Sequence, residues 1–85
     1  MRASRMRDVE GLRSYLNKRV RLFFTDGEIV EAILLGVDPE RDRDLTYEVG
    51  QIVLRGSPPA RGTTEGATCI APLQDLESWE AVAAG

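Results

Sequence analysis

The side chains that could do chemistry are concentrated in one short segment, DPERDRD, at residues 38–44. Four carboxylates alternate along it with two arginines between them: Asp38, Glu40, Asp42, Asp44, Arg41 and Arg43. Carboxylates at this spacing suggest Ca²⁺, but the segment lacks the glycine at position six and the glutamate at position twelve of an EF-hand loop. We therefore predict a solvated loop with no metal site.

Catalytic residue types are scarce in the rest of the chain. The sequence has no histidine, which removes the commonest general base and the commonest metal ligand. Its one cysteine, Cys69, has no histidine to activate it, so we expect a strand residue rather than a nucleophile. We therefore predict no enzyme activity and no cofactor.

Charge is distributed unevenly along the chain. Residues 1–21 hold seven basic and two acidic residues, net +5, whereas residues 22–85 hold four basic and twelve acidic residues, net −8. The basic head could present one positive face to a polyanion, or it could pair with the acidic body of a neighbouring subunit. Its candidate phosphate contacts are Arg5, Arg7, Arg13, Lys18 and Arg19.

An N-terminal helix is predicted over about residues 5–16, with Ser4 as its cap. Its apolar residues recur at spacings of three and four and form one stripe: Met6, Val9, Leu12 and Leu16. Asn17 can end the helix in a left-handed conformation. So short a helix needs a surface on which to dock.

The helix is followed by VRLFFTDGEIVEAILLGVD, which predicts a β-hairpin. A three-residue loop at 25–27, with Gly27 left-handed, pairs Leu22 with Val30 and Arg21 with Glu31. This register collects one apolar face: Val20, Leu22, Phe24, Val30, Ala32 and Leu34. The opposite face still carries Phe23, Ile29, Ile33 and Leu35, so we expect the helix and a neighbouring subunit to cover it.

The second half predicts shorter elements. Residues 45–49 alternate as a strand, and Gly50 and Gln51 fit a two-residue turn into the next strand. The chain is completed by a loop at 57–66, a strand at 68–72 and a second helix in the tail. The helix is indicated by apolar residues at a spacing of three: Leu73, Leu76, Trp79 and Val82. Five short strands with a helix in front suggest a small antiparallel barrel.

In this order the segments resemble the Sm-like family, which includes the Sm proteins and the bacterial RNA chaperone Hfq. The first Sm motif is matched by Asp26, Gly27, Val30, Ala32, Leu34, Gly36, Val37 and Asp38. IVLRGS, with Arg55 and Gly56, resembles the second motif, and CIAP resembles the closing strand. The match covers roughly residues 5–72.

The resemblance implies a bent five-stranded barrel of the SH3 type that assembles into a ring through its fourth and fifth strands. It also implies single-stranded RNA bound by loops at the pore, because unstacked bases offer a face and an edge to be read. Carried onto this chain, the RNA-binding residues are Arg41, Arg43, Asp44, Arg55 and Gly56. Asp44 departs from the family pattern, since it stands nearest to a position that the family fills with Asn.

The sequence thus predicts one mainly β Sm-like domain over 1–85, with a helix at about 5–16, a barrel at about 19–72 and a tail at 73–85. We expect a homo-oligomeric ring that binds single-stranded RNA. The alternative is a non-catalytic structural or protein-interaction module that binds a protein partner through a strand edge or the C-terminal tail. No apolar run is long enough to span a membrane, so we expect a cytoplasmic protein.

Overall fold

The computed structural model describes residues 8–56 and 62–83. One short helix precedes five antiparallel strands in a single sheet, so the mainly β prediction is confirmed. The elements are α1 (Val9–Arg13), β1 (Arg19–Phe24), β2 (Ile29–Asp38), β3 (Asp44–Leu54), β4 (Thr68–Pro72), a 3-10 turn (Leu73–Asp75) and β5 (Leu76–Ala81). The strand order is β4-β3-β2-β1-β5. The sheet is not closed, because β4 and β5 lie at its two edges.

The first hairpin has the predicted register. Leu22 pairs with Val30 and Arg21 with Glu31, and the Arg21 guanidinium bonds the Glu31 carboxylate. Gly27 has φ +93°, the left-handed conformation that the three-residue loop requires. This hairpin was predictable because the turn residues and the apolar alternation agree on one register.

The core lies on the inner face of the sheet. Fully buried there are the side chains of Val20, Leu22, Phe24, Val30, Ala32, Leu34, Leu45, Tyr47, Val49, Ala71 and Trp79. Helix α1 adds Leu12 to this cluster, and the Trp79 indole N–H donates to the Asp8 carbonyl at 2.9 Å. The helix therefore packs on the inner core, not on the outer sheet face as expected.

The helix is also shorter than predicted. It covers five residues and is followed by turns, and Asn17 ends the segment with φ +65°, as expected. The predicted Ser4 cap and the first residues of the predicted helix lie outside the described part of the chain. Among described residues, no helix has both the length and the apolar character needed to cross a membrane.

Two predictions in the second half are wrong. Gly50 and Gln51 do not form a turn, since β3 runs unbroken from Asp44 to Leu54. Gly50 is instead the extra residue of a β-bulge, where an added Cβ would lie 3.2 Å from the Glu31 carbonyl oxygen. The tail is not a helix either: after the 3-10 turn it becomes β5, which pairs with β1.

Candidate ligand-binding groove beside the β2–β3 loop

The loop between β2 and β3 is organised by Asp38, the last residue of β2. Its Oδ1 accepts the N–H of Glu40 at 3.1 Å and that of Arg41 at 3.0 Å, and its Oδ2 accepts the N–H of Asp42 at 3.3 Å. These three N–H donors hold the pKa of the Asp38 carboxyl below its ordinary value, with a smaller contribution from the positive charge of Arg13. One side chain thus satisfies the backbone of most of the loop.

The other end of the loop is held by a backbone contact. Arg43 has φ +53°, a left-handed conformation that costs a non-glycine residue roughly 1–2 kcal/mol. In this conformation its carbonyl accepts the N–H of Leu73 at 2.8 Å, at the start of the 3-10 turn. The contact ties the β2–β3 loop to the connection between β4 and β5.

A groove of about 550 Å³ lies where these segments meet α1. It is lined by Val9, Pro39, Asp42, Arg43, Pro72, Leu73 and Gln74. The lining combines an apolar floor with one guanidinium, one carboxylate and one amide. Such a surface offers a planar ligand both a face on which to stack and polar groups that can read its edge.

Three of the predicted RNA-binding residues lie together at this groove or beside it. Arg43 lines it, Arg41 belongs to the same loop, and Asp44 begins β3 opposite Asp38 and Pro72. Arg13, a predicted phosphate contact, is near enough for its positive charge to lower the pKa of Asp38. Its guanidinium lies 3.6 Å from the Glu10 carboxylate on the exposed face of α1.

The remaining predicted phosphate contacts are dispersed. The Lys18 ammonium lies over the Tyr15 ring, 5.7 Å from its centroid. Arg19 borders a different, smaller cavity of about 170 Å³ on the outer face, together with Glu31 and Gln51. Arg5 and Arg7 are outside the described residues.

The structure does not bring Arg55 and Gly56 to the groove. They follow the opposite end of β3, where the Arg55 guanidinium donates to the Thr63 carbonyl at 3.3 Å. Gly56 is buried against the Asp26 carboxylate, and the neighbouring Glu28 is almost fully buried. The predicted two-part pocket is therefore not assembled, and the Arg55–Gly56 end lies beside two carboxylates.

The far wall of the groove was missed at the level of sequence. Leu73 and Gln74 were assigned to a helical tail, and no local signal distinguishes a 3-10 turn of three residues from the first turn of a helix. In the described ranges no three carboxylate or thiol side chains converge to hold a metal ion.

The edge strand β4 is a second candidate surface. The Val49 N–H donates to the Ala67 carbonyl at 2.9 Å. Because hydrogen bonding alternates along an antiparallel pair, Cys69 then faces β3 with its N–H and carbonyl, whereas Thr68 and Ile70 direct theirs away from it. The Ile70 side chain is 66% exposed beside these outward backbone groups.

Strand β5 presents a matching edge at the other end of the sheet. The Val82 N–H donates to the Arg19 carbonyl at 3.3 Å, so alternation turns Glu80 toward β1. The N–H and carbonyl groups of Trp79 and Ala81 consequently point outward. Both edges have backbone groups that an added strand could bond.

No protein-family model matches this chain, and no curated protein resembles it significantly.

Proposed function

We propose that this protein is an Sm-like subunit that self-assembles through its two open sheet edges and binds single-stranded RNA in the groove beside the β2–β3 loop. The observation that carries the proposal is the strand order. It leaves the fourth and fifth strands, β4 and β5, as the two edges, and the resemblance implies assembly through the fourth and fifth strands. The CIAP segment that resembles the family's closing strand is part of β4 in this order, and β5 is formed by the tail residues Leu76–Ala81. In this proposal the edges of the bent sheet pair with neighbouring copies instead of closing on each other as a barrel. The proposed subunit has no catalytic activity and is cytoplasmic.

Edge pairing would be heterologous, with β4 of one copy adding to β5 of the next. Contacts of this kind close into a ring when the rotation between copies permits it. Pairing would bond the outward groups of Thr68 and Ile70 and cover the Ile70 side chain. Burying the exposed two-thirds of an isoleucine side chain contributes about 1–2 kcal/mol to each contact.

The groove supports the RNA half of the proposal. Arg43 holds an unfavourable backbone conformation although glycine or asparagine would fit there at lower cost. Its guanidinium can contact a phosphate or stack on a base, and Leu73 and the prolines supply an apolar surface. Arg41 adds a second guanidinium on the adjoining loop, and Arg13, which lies 3.6 Å from the Glu10 carboxylate, adds a third on the helix.

Assembly is tested with Ile70→Pro. Because the Ile70 N–H points away from β3, proline removes a donor that only a neighbouring copy would use. We expect the parent to be a stable oligomer by light scattering at several concentrations, and the variant to be a monomer with an unchanged circular dichroism spectrum. Ile70→Ala, which keeps the N–H, should weaken assembly without abolishing it. A parent that is monomeric at every concentration would rule out the assembly.

RNA binding is tested with Arg43→Gly and short U-rich and A-rich RNAs across a salt series. Glycine keeps the left-handed backbone and removes the guanidinium, so the loop keeps its shape. If Arg43 contacts a phosphate, the slope of log affinity against log salt should fall by about 0.7. Arg55→Gln, at the far end of β3, is the matched control and should bind as the parent does. Absence of saturable binding by the parent at low salt would eliminate the RNA assignment.

One observation favours a second function, that of a protein-interaction module on the same sheet. Carboxylates outnumber arginines by four to two in residues 38–44, and the chain is acidic, with a pI of about 4.9. A negative loop repels a phosphate strand but tolerates a peptide strand added to an open edge. An oligomerising or edge-binding parent that ignores RNA at low salt would support this function over the first.

A further inference from the structure

We infer that Asp38 is a positioning residue for the RNA groove, acting through the conformation of the β2–β3 loop. The inference rests on the proposed RNA function for its consequence, but its structural basis stands independently. Asp38 accepts three consecutive backbone N–H groups of the loop, and the loop ends at Arg43, whose carbonyl accepts the N–H of Leu73. Asp38 and Leu73 thus brace the loop from both ends.

The loop has little else to hold it. Residues 40–43 are exposed, and the two acids and two arginines among them form no ion pair within the described part of the chain. The backbone of Arg43 is left-handed, a conformation that a free loop would abandon for an extended or right-handed one. The three bonds from Asp38 select the turn that delivers Arg43 in this conformation.

The consequence for binding is preorganisation. With the loop braced, the Arg43 side chain starts from a fixed backbone at the groove wall, and binding orders fewer groups. Without Asp38 the loop samples other conformations, and only the fraction with Arg43 at the groove is competent.

The test uses the direction of the change in affinity. Asp38→Ala removes a negative charge beside a site for a polyanion, so electrostatics alone predicts tighter RNA binding. A positioning role predicts the opposite, weaker binding by about tenfold, which matches the cost of holding Arg43 left-handed without support. The slope of affinity against salt should stay at the parent value, because the cationic contacts remain present.

Two variants complete the design. Glu40→Ala removes an equal charge from an exposed side chain of the same loop and should bind slightly tighter. Asp38→Asn makes the same charge change as Asp38→Ala but keeps a carbonyl oxygen for the Glu40 and Arg41 N–H groups. It should recover most of the lost affinity. If Asp38→Ala binds RNA as tightly as Glu40→Ala does, the positioning role is refuted.

A readout without RNA separates this inference from the proposed function. Hydrogen exchange of the Leu73 amide reports the contact to Arg43 directly. It should be at least tenfold faster in Asp38→Ala than in the parent, with core amides unchanged. If Asp38→Ala exchanges faster but the parent binds no RNA, Asp38 positions the loop and the RNA function is refuted. If the exchange rate of the Leu73 amide is unchanged in Asp38→Ala, the positioning role is refuted whether or not the parent binds RNA.

Discussion

The buried contact between Glu28 and Thr63 allows a quantitative test of how the β3–β4 connection is held. Glu28 lies beside the first hairpin turn and is 1% exposed, and Thr63 is 4% exposed although it is 35 residues away. The Thr63 hydroxyl donates to Glu28 Oε1 at 2.9 Å. Replacing Thr63 with valine keeps the branched shape of the side chain and removes this donor.

The expected cost follows from the nature of the bond. A hydrogen bond to a carboxylate contributes about 1.5–3 kcal/mol, and a buried acceptor that loses a donor is not compensated by water. For a domain of this size, a loss of about 2 kcal/mol lowers Tm by roughly 8–16 °C. Urea unfolding followed by circular dichroism should show a lower midpoint with an unchanged m-value.

The neighbouring Thr64 supplies the matched control. Its side chain is exposed, so Thr64→Val should leave the free energy of unfolding within about 0.5 kcal/mol of the parent. If Thr63→Val is as stable as Thr64→Val, the carboxylate of Glu28 does not depend on that hydroxyl, and the argument for this contact is refuted.

Three further predictions concern the turn, the helix and the loop. Gly27→Ala should lower the free energy of unfolding in urea by about 1–2 kcal/mol, because φ at this position is +93°. Gly62→Ala, where an added Cβ meets open space, should leave that free energy nearly unchanged. Equal effects of the two substitutions would contradict the left-handed turn. Trp79→Phe loses the indole bond to the Asp8 carbonyl, so the free energy of unfolding should fall by at least about 0.5–1.5 kcal/mol and amide exchange in α1 should accelerate; an undisturbed helix would disprove this anchor. The lowered pKa of Asp38 means that its bonds stabilise the loop above its ordinary pKa of 3.8 and are lost as the pH falls through the lowered value; the amide shifts of Arg41, Asp42 and Glu40 measured by NMR should show a transition at that acidic pH that is absent in Asp38→Asn.

The parts of the fold that were predicted from sequence are those in which local chemistry and long-range pairing coincide. In the first hairpin, Gly27 requires a particular turn and the alternation from Val20 to Phe24 requires the same register, so the two signals reinforce each other. The charged loop was recognised for the same reason, because Asp38 and Pro39 open a turn and no apolar residue follows until Leu45. Arg41, Arg43 and Asp44 therefore lie on or beside this one loop in the structure, and their contact with RNA stays a prediction.

The other half of the candidate site could not be grouped in this way, because it depends on which strands become neighbours. Arg55 and Gly56 resemble a motif, but a motif of two residues carries no information on which end of a strand it will occupy. Leu73 and Gln74 reach the groove only because β4 pairs with β3 and brings the following turn beside Arg43. That pairing spans more than twenty residues of sequence and leaves no local pattern.

The errors in the second half have one physical cause, the β-bulge. A strand places every second side chain on the same face, but one extra residue on a strand moves the next inward side chain to the third position. The bulge at Gly50 places the inward side chains of Val49 and Ile52 three residues apart. The bulge at Glu77 does the same for Leu76 and Trp79. The first was interpreted as two strands joined by a turn, and the second as the spacing of a helix.

The same bulges explain why a chain with so few residues can enclose a core at all. A third one, at Leu35 in β2, sets Leu34 and Val37 on the inner face three residues apart. Each bulge increases the local twist and bends the sheet, so long strands such as β2 and β3 can curve around Tyr47 and Trp79. The interruptions that obscured the strand period in the sequence are therefore the features that curve the sheet.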